Sequence, residues 1–139
     1  MLIVDFIIFN KNYELNYGFI GAYGSRNANF IVAKSDLILA IGSRLDVRQV
    51  GGKRYNFAPN ATLIRVDIDS AELEYKIRPD EISIQADAEN VIHYLIQNAN
   101  YDENKYLEWH QTCKIITHKL EGMDDKKYNL FGRLSDPAL

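Results

Sequence analysis

The chain has 139 residues, about one domain, and its 47% apolar content is ordinary for a globular protein. Sixteen Lys and Arg against 19 Asp and Glu leave a net charge of -3, so no basic surplus points to nucleic acid or to an anionic membrane. The longest apolar runs are too short to span a bilayer, Met1 to Asp5 lacks the marks of a secretory signal, and a single cysteine, Cys113, excludes an internal disulfide and fits a reducing cytoplasm.

Along the chain, Leu2 to Phe9 is a β-rich run interrupted by Asp5, and Asn10 to Tyr17 is polar and turn-like. Gly18, Gly21 and Gly24 precede Ser25 to Lys34, where Ala28, Ile31 and Val32 fall at helical spacing. Leu37 to Ile41 is apolar without alternation, which predicts a strand covered on both faces, as in a parallel sheet. Thr62 to Ile68 and Glu81 to Gln85 are the next strands. Asp69 and Glu72 have the spacing of a capping box, so a short helix starts there. Asp87 caps a further helix with Val91, Ile92, Leu95 and Ile96 in one stripe. Asp102 opens a last helix with Tyr106, Trp109, Cys113, Ile116 and Leu120 on one side, and periodicity fades after Glu121. Strands alternating with helices indicate an α/β fold built on a parallel sheet.

Three stretches carry residues suited to ligands. The glycine series precedes a helix N-terminus, where free N–H groups attract phosphate. Its G-x-x-G-x-x-G spacing departs from the G-x-G-x-x-G dinucleotide fingerprint, and the acid that should end the next strand is absent. A plain turn uses the same glycines. Gly42 to Gly51 follows a buried strand, the place where ligands sit in open parallel sheets. There Arg44 and Arg48 suit phosphates and Asp46 a ribose hydroxyl, while a solvated loop with an internal Arg–Asp pair is the alternative. Asp67 suits a ribose, and Asp69 is more simply a helix cap.

Other residues argue against chemistry on this chain. His93, His110 and His118 are scattered over helices without metal-ligand spacing. Cys113 lies in an apolar stripe, as a core thiol does. Neither a G-x-S-x-G elbow nor a Walker-type loop occurs.

In order and spacing, Ile20-Gly-Ala-Tyr-Gly24, Arg26-Asn-Ala-Asn29, Ser35-Asp-Leu-Ile-Leu-Ala-Ile-Gly-Ser-Arg-Leu-Asp46, Gly51, Phe57-Ala-Pro59, Ile64-Arg-Val-Asp-Ile-Asp69, Glu72-Leu73 and Ala86-Asp-Ala88 form one series. It resembles the middle domain of acetolactate synthases and related thiamine-diphosphate-dependent enzymes, from Phe19 to Leu95. The family's G-D-A step stands here as Ala86-Asp-Ala88.

The resemblance implies a Rossmann-like parallel sheet of the NAD/FAD-binding type. The expected organisation is a partial middle domain over 1–100, lacking its first strand-helix unit, then a helix over 101–120 and an irregular linker or tail over 121–139. In the family, thiamine diphosphate and magnesium are held by the other two domains, so this chain is expected to bind neither and to be inactive alone. The parent enzyme would join or cleave 2-keto acids, and this chain's partners would be the missing catalytic domains. The middle domain of acetolactate synthases holds the ADP side of FAD, at places matching Gly21, Ala22, Tyr23, Gly42, Ser43, Arg44, Asp46, Asp67 and Asp87. A cytoplasmic, self-associating protein is expected, with Leu2, Ile3, Val4, Phe6, Ile7 and Ile8 filling an open sheet edge or swapped between copies. A stand-alone nucleotide-binding or regulatory module without catalysis is the alternative.

Overall fold

The structure is a computed structural model that describes residues 2–4, 13–100 and 102–134. Its centre is a four-stranded, all-parallel sheet in the order β1-β2-β3-β4, with β1 Leu2–Val4, β2 Leu37–Ile41, β3 Thr62–Asp67 and β4 Ile82–Gln85. Register pairs Ile3 with Leu39, Leu39 with Ile64 and Ile64 with Ile82. The last three strands stand where the apolar runs predict, side by side and parallel. Leu2–Val4 forms an edge strand of the chain's own sheet, and residues 6–8 lie outside the described residues.

Three connections join the strands: α1 Arg26–Lys34, then α2 Val47–Val50 with a 3-10 turn at Arg54–Asn56, then α3 Ser70–Glu74. Each step goes to the next strand in the same direction, and right-handed crossovers then place all three connections on one face. The side-chain alternation agrees. Ile38, Ala40 and Leu63 point to that face and are buried with Val32, Leu45, Phe57 and Ile77. Leu39, Ile41 and Val66 point to the other, where α4 (Ala88–Asn98) lies with Val91, Ile92 and Leu95 against them. Each fully buried Ile or Leu contributes roughly 1.5–3 kcal/mol relative to exposure. Ile96, expected in the α4 stripe, instead faces out at 74% exposure.

Helix ends follow local chemistry. The Ser25 hydroxyl accepts from the Ala28 N–H and starts α1. Asp69 and Asp87 cap α3 and α4 by accepting from the Ala71 N–H and from the Glu89 and Asn90 N–H groups. The capping box, however, belongs to Asp46 and Gln49 at α2, whereas Glu72 turns away from Asp69 to pair with Arg44.

The last helix, α5, spans Glu103–Leu134. It packs on α1 through the predicted side, with Cys113 fully buried. Asn27 Nδ2 donates to the Tyr17 carbonyl and to Thr117 Oγ1, tying the two helices to the segment before α1. The expected irregular tail from 121 is corrected: the helix continues to Leu134. Residues 135–139 lie outside the described residues. No helix among the described residues is long and apolar enough to cross a membrane.

Candidate functional site

Parallel strands bring their carboxyl ends to one edge of the sheet. There Gly42 follows β2, Asp67 ends β3, and Ala86 and Asp87 follow β4. The Gly42 N–H donates to the Val66 carbonyl at 2.9 Å and the Ala86 N–H to the Asp67 carbonyl at 3.0 Å, which holds the three exits together. Gly42 has φ +62° and open space where a side chain would be. This is the edge at which open α/β sheets receive ligands.

The carboxylates expected to bind a cofactor are already bonded to backbone. Asp46 accepts from the Arg48 N–H at 2.8 Å and the Gln49 N–H at 3.2 Å. Asp87 accepts from Glu89 and Asn90 N–H groups at 2.9 and 3.2 Å. Asp67 accepts a single bond, 3.0 Å from the Asp69 N–H. Arg44 reaches out of the loop to Glu72 at 3.1 Å, so it makes no internal pair with Asp46. Ser43 is buried, its hydroxyl accepting from Gln49 Nε2 at 3.4 Å.

The glycine series serves packing. Gly21 sits at φ +94°, its N–H donating to Asn29 Oδ1 at 2.7 Å and its carbonyl accepting from Asn29 Nδ2 at 2.9 Å. The Ala22 N–H donates to the Arg48 carbonyl at 2.7 Å. A Cβ on Gly21 would overlap that carbonyl and stand 2.6 Å from Gln49 Cα. At Gly24 a Cβ would stand 2.7 Å from Ile20 Cα. The loop is therefore clamped onto α2 on one side and α1 on the other, and Tyr23, at its tip, is 88% exposed. Gly21 and Ala22 are spent on this docking. Tyr23, Gly42 and Asp67 remain the expected residues best placed to meet a ligand.

Sequence reasoning missed a polar cluster beneath the edge. Arg65, on β3, is buried and donates to Glu81 Oε1 at 2.9 Å and to the carbonyls of Glu72 and Tyr75 at 3.1 and 3.0 Å. It also reaches the Arg44 carbonyl at 3.4 Å. Arg78, likewise buried, donates to the Ala58 and Ala61 carbonyls at 2.6 and 2.8 Å and pairs with Asp80. These arginines satisfy carbonyls at the end of α3 and in the loop before β3. Arg65 braces β3 from the side of the sheet that carries the connections, and Arg78 ties the segment before β4 to the loop that enters β3, at the end of the strands opposite the candidate edge. A lone Arg within the apolar run of β3 was the signal that could have found the first. Among the described residues, no three of His, Cys, Asp or Glu come together as metal ligands.

The stretch that forms β2, β3 and β4 and their edge matches a known family. The family model described as "Thiamine pyrophosphate enzyme, central domain" covers residues 7–95. The chain belongs to that family. As a thiamine pyrophosphate enzyme central domain it is 41% identical, over 73% of its length, to the acetolactate synthase isozyme 1 large subunit of Escherichia coli (strain K12), and the match covers 17% of that protein. It is 36% identical over 85% of its length to the probable acetolactate synthase large subunit of Methanocaldococcus jannaschii, covering 20% of it. It is 43% identical over 64% of its length to the acetolactate synthase large subunit of Porphyra purpurea, covering 15%. The chain thus spans a fifth or less of the length of these relatives.

Proposed function

We propose that this chain is the central-domain framework of a cytoplasmic, thiamine-diphosphate-dependent enzyme of the acetolactate synthase type, whose complete form joins or cleaves 2-keto acids. One observation carries the reading: the stretch that matches the family holds the three strands β2 to β4, and the carboxylates at their ligand edge are engaged in holding helix ends and loops. Asp46, Asp69 and Asp87 are caps. That is the chemistry of a scaffold.

Thiamine diphosphate, bound with magnesium, supplies the carbon nucleophile for 2-keto acids in such enzymes. The residues here do not fit it: these 139 residues contain no Gly-Asp-Gly to Asn pattern of the kind the resemblance implies for the diphosphate and its magnesium. The reading therefore places that cofactor outside this chain, and no step is assigned to residues of this one.

A flavin is a different matter. Gly42 allows close approach of a ligand, and Asp67, half-buried with one accepted bond, keeps acceptor capacity for a ribose hydroxyl. These two fit the adenine-nucleotide part of FAD, and Tyr23 offers an exposed ring on the neighbouring loop. Asp46 and Asp87 cap their helices through Oδ1 alone, so each keeps a second acceptor oxygen at the same edge.

A chimera tests the framework role. The aligned 101 residues of the Escherichia coli isozyme 1 large subunit are replaced by those of this chain, and acetolactate formation from pyruvate is measured. A folded chimera that retains turnover is the expected result. A folded, cofactor-loaded chimera without turnover would contradict it.

A further inference from the structure

One buried side chain holds the backbone of two residues at the ligand edge. Arg65 Nη2 donates to the Arg44 carbonyl at 3.4 Å and to the Glu72 carbonyl at 3.1 Å, while Glu81 anchors the same guanidinium at 2.9 Å. Leu45, next to Arg44, is fully buried at φ +50°, a left-handed backbone that persists only where the surroundings determine it. The loop after β2 and the first turn of α3 are thus fixed relative to each other. Between them the side chains of Arg44 and Glu72 meet, Nε to Oε1, at 3.1 Å. An exposed ion pair usually contributes little, because two long side chains must be ordered to form it. Here the common anchor on Arg65 has already brought the two backbones together.

We propose that Glu72 is a specificity-determining residue of this edge, one that withholds Arg44 from phosphate. The inference rests on the reading of the edge as an adenine-nucleotide site. Arg44 lies two residues past Gly42, the point of close ligand approach, and a free guanidinium there suits a phosphate. Bonded to Glu72, it is half of a neutral unit, and a phosphate has to displace a carboxylate to reach it.

The rest of the edge points the same way. Asp46, Asp67 and Asp87 keep acceptor oxygens there, each beyond the backbone bonds it accepts. Carboxylates repel phosphate and accept from hydroxyl groups. With Arg44 neutralised, the ligand chemistry that this edge takes is the nucleoside, held through its ribose hydroxyls, and the phosphates add little. Specificity built from an unfavourable element against one ligand class needs no extra contact to the favoured one.

Backbone-amide NMR titrations of the full chain with adenosine and with ADP, both without magnesium, test this. The unaltered chain should bind the two within about threefold of each other, as an engaged guanidinium predicts. Glu72→Gln should tighten ADP at least about fivefold and leave adenosine unchanged, in line with one charge-assisted hydrogen bond released to the phosphate. That gain should shrink as salt rises. Adding Arg44→Gln to Glu72→Gln should restore the parent ratio, which a mere loosening of α3 would not do. Adenosine binding without an ADP gain in Glu72→Gln overturns this inference and leaves the adenine-nucleotide site standing. Binding of neither ligand to either protein overturns both. Should Glu72→Gln lose its fold by circular dichroism, the unaltered chain decides. Similar affinities for the two ligands then support the inference, and ADP bound about tenfold or more tighter than adenosine overturns it, because Arg44 would be meeting phosphate.

Discussion

Arg65 on β3 and Glu81 at the entry to β4 form an ion pair at 2.9 Å with side chains only 1% and 0% exposed. Glu81 also accepts from the Ile77 N–H at 2.8 Å and from Ser83 Oγ at 3.2 Å, so the pair joins the last two strands and the segment between them. Removing one partner strands the other charge in the interior. Glu81→Ala should lower unfolding stability by about 3–5 kcal/mol. The double variant Arg65→Met, Glu81→Leu should cost clearly less than the sum of the single ones. Urea unfolding of the parent chain, Glu81→Ala, Arg65→Met, Glu81→Leu and the double variant measures both quantities, and strict additivity would argue against the coupling.

The glycines separate two physical roles. Gly42→Ala meets open space and should cost about 1–2 kcal/mol, from its left-handed backbone. Gly21→Ala carries the same backbone cost and also drives a methyl into the Arg48 carbonyl. It should therefore be the more destabilising by at least about 1 kcal/mol. Thermal or urea unfolding ranks them, and equal losses would mean that the loop is not clamped onto α2.

Burial pushes the Tyr17 phenol up to about 12 from its usual 10.0, with the nearby Cys113 thiol adding to the effect. Its neutral form is the one the fold favours. Below pH 10 the contribution is fully present. As pH rises from 10 towards 12, the unfolded chain loses this proton first and stability falls. Tyr17→Phe should flatten that alkaline limb in unfolding curves taken between pH 9 and 12. An unchanged limb would place its origin elsewhere.

Burial likewise pushes the Cys113 thiol up, and the side chain is fully buried between α5 and its neighbours. Ellman's reagent at pH 8 should react with it only at the rate of unfolding, and immediately in denaturant. Fast reaction in the native protein would contradict its place in the core.

Much of this architecture is legible in the residues. Leu37 to Ile41 lacks alternation because both of its faces are covered, and that predicts parallel neighbours without reference to distant contacts. Asp69 and Asp87 read as caps because the bonds they make lie two or three residues away. Legibility falls with sequence separation. Arg65 and Glu81 are sixteen residues apart, and only the register of β3 with β4 brings them together. The glycine loop misleads for the same reason: a phosphate turn and a loop clamped onto α2 need the same small residues, and the partner that decides, Arg48, lies far along the chain. Ile96 fits the α4 stripe by spacing, yet it faces out while its neighbour Leu95 packs against the sheet. α5 continues past Glu121 to Leu134 without a periodic apolar stripe to mark it in the sequence.

A ligand at the sheet edge would depend on Gly42 and Asp67. FAD or ADP titrated into the chain by calorimetry should give binding that Gly42→Val abolishes and Asp67→Asn weakens about fivefold or more, in line with the loss of one charge-assisted hydrogen bond. Affinity indifferent to both substitutions would contradict the choice of this edge as the site.

The most direct measurement is keto-acid turnover by the chain alone. Purified protein is incubated with pyruvate, thiamine diphosphate, magnesium and FAD, and pyruvate consumption is followed against buffer. A framework without keto-acid chemistry of its own predicts a rate equal to buffer. Turnover that rises with protein concentration and follows the chain through purification would contradict it.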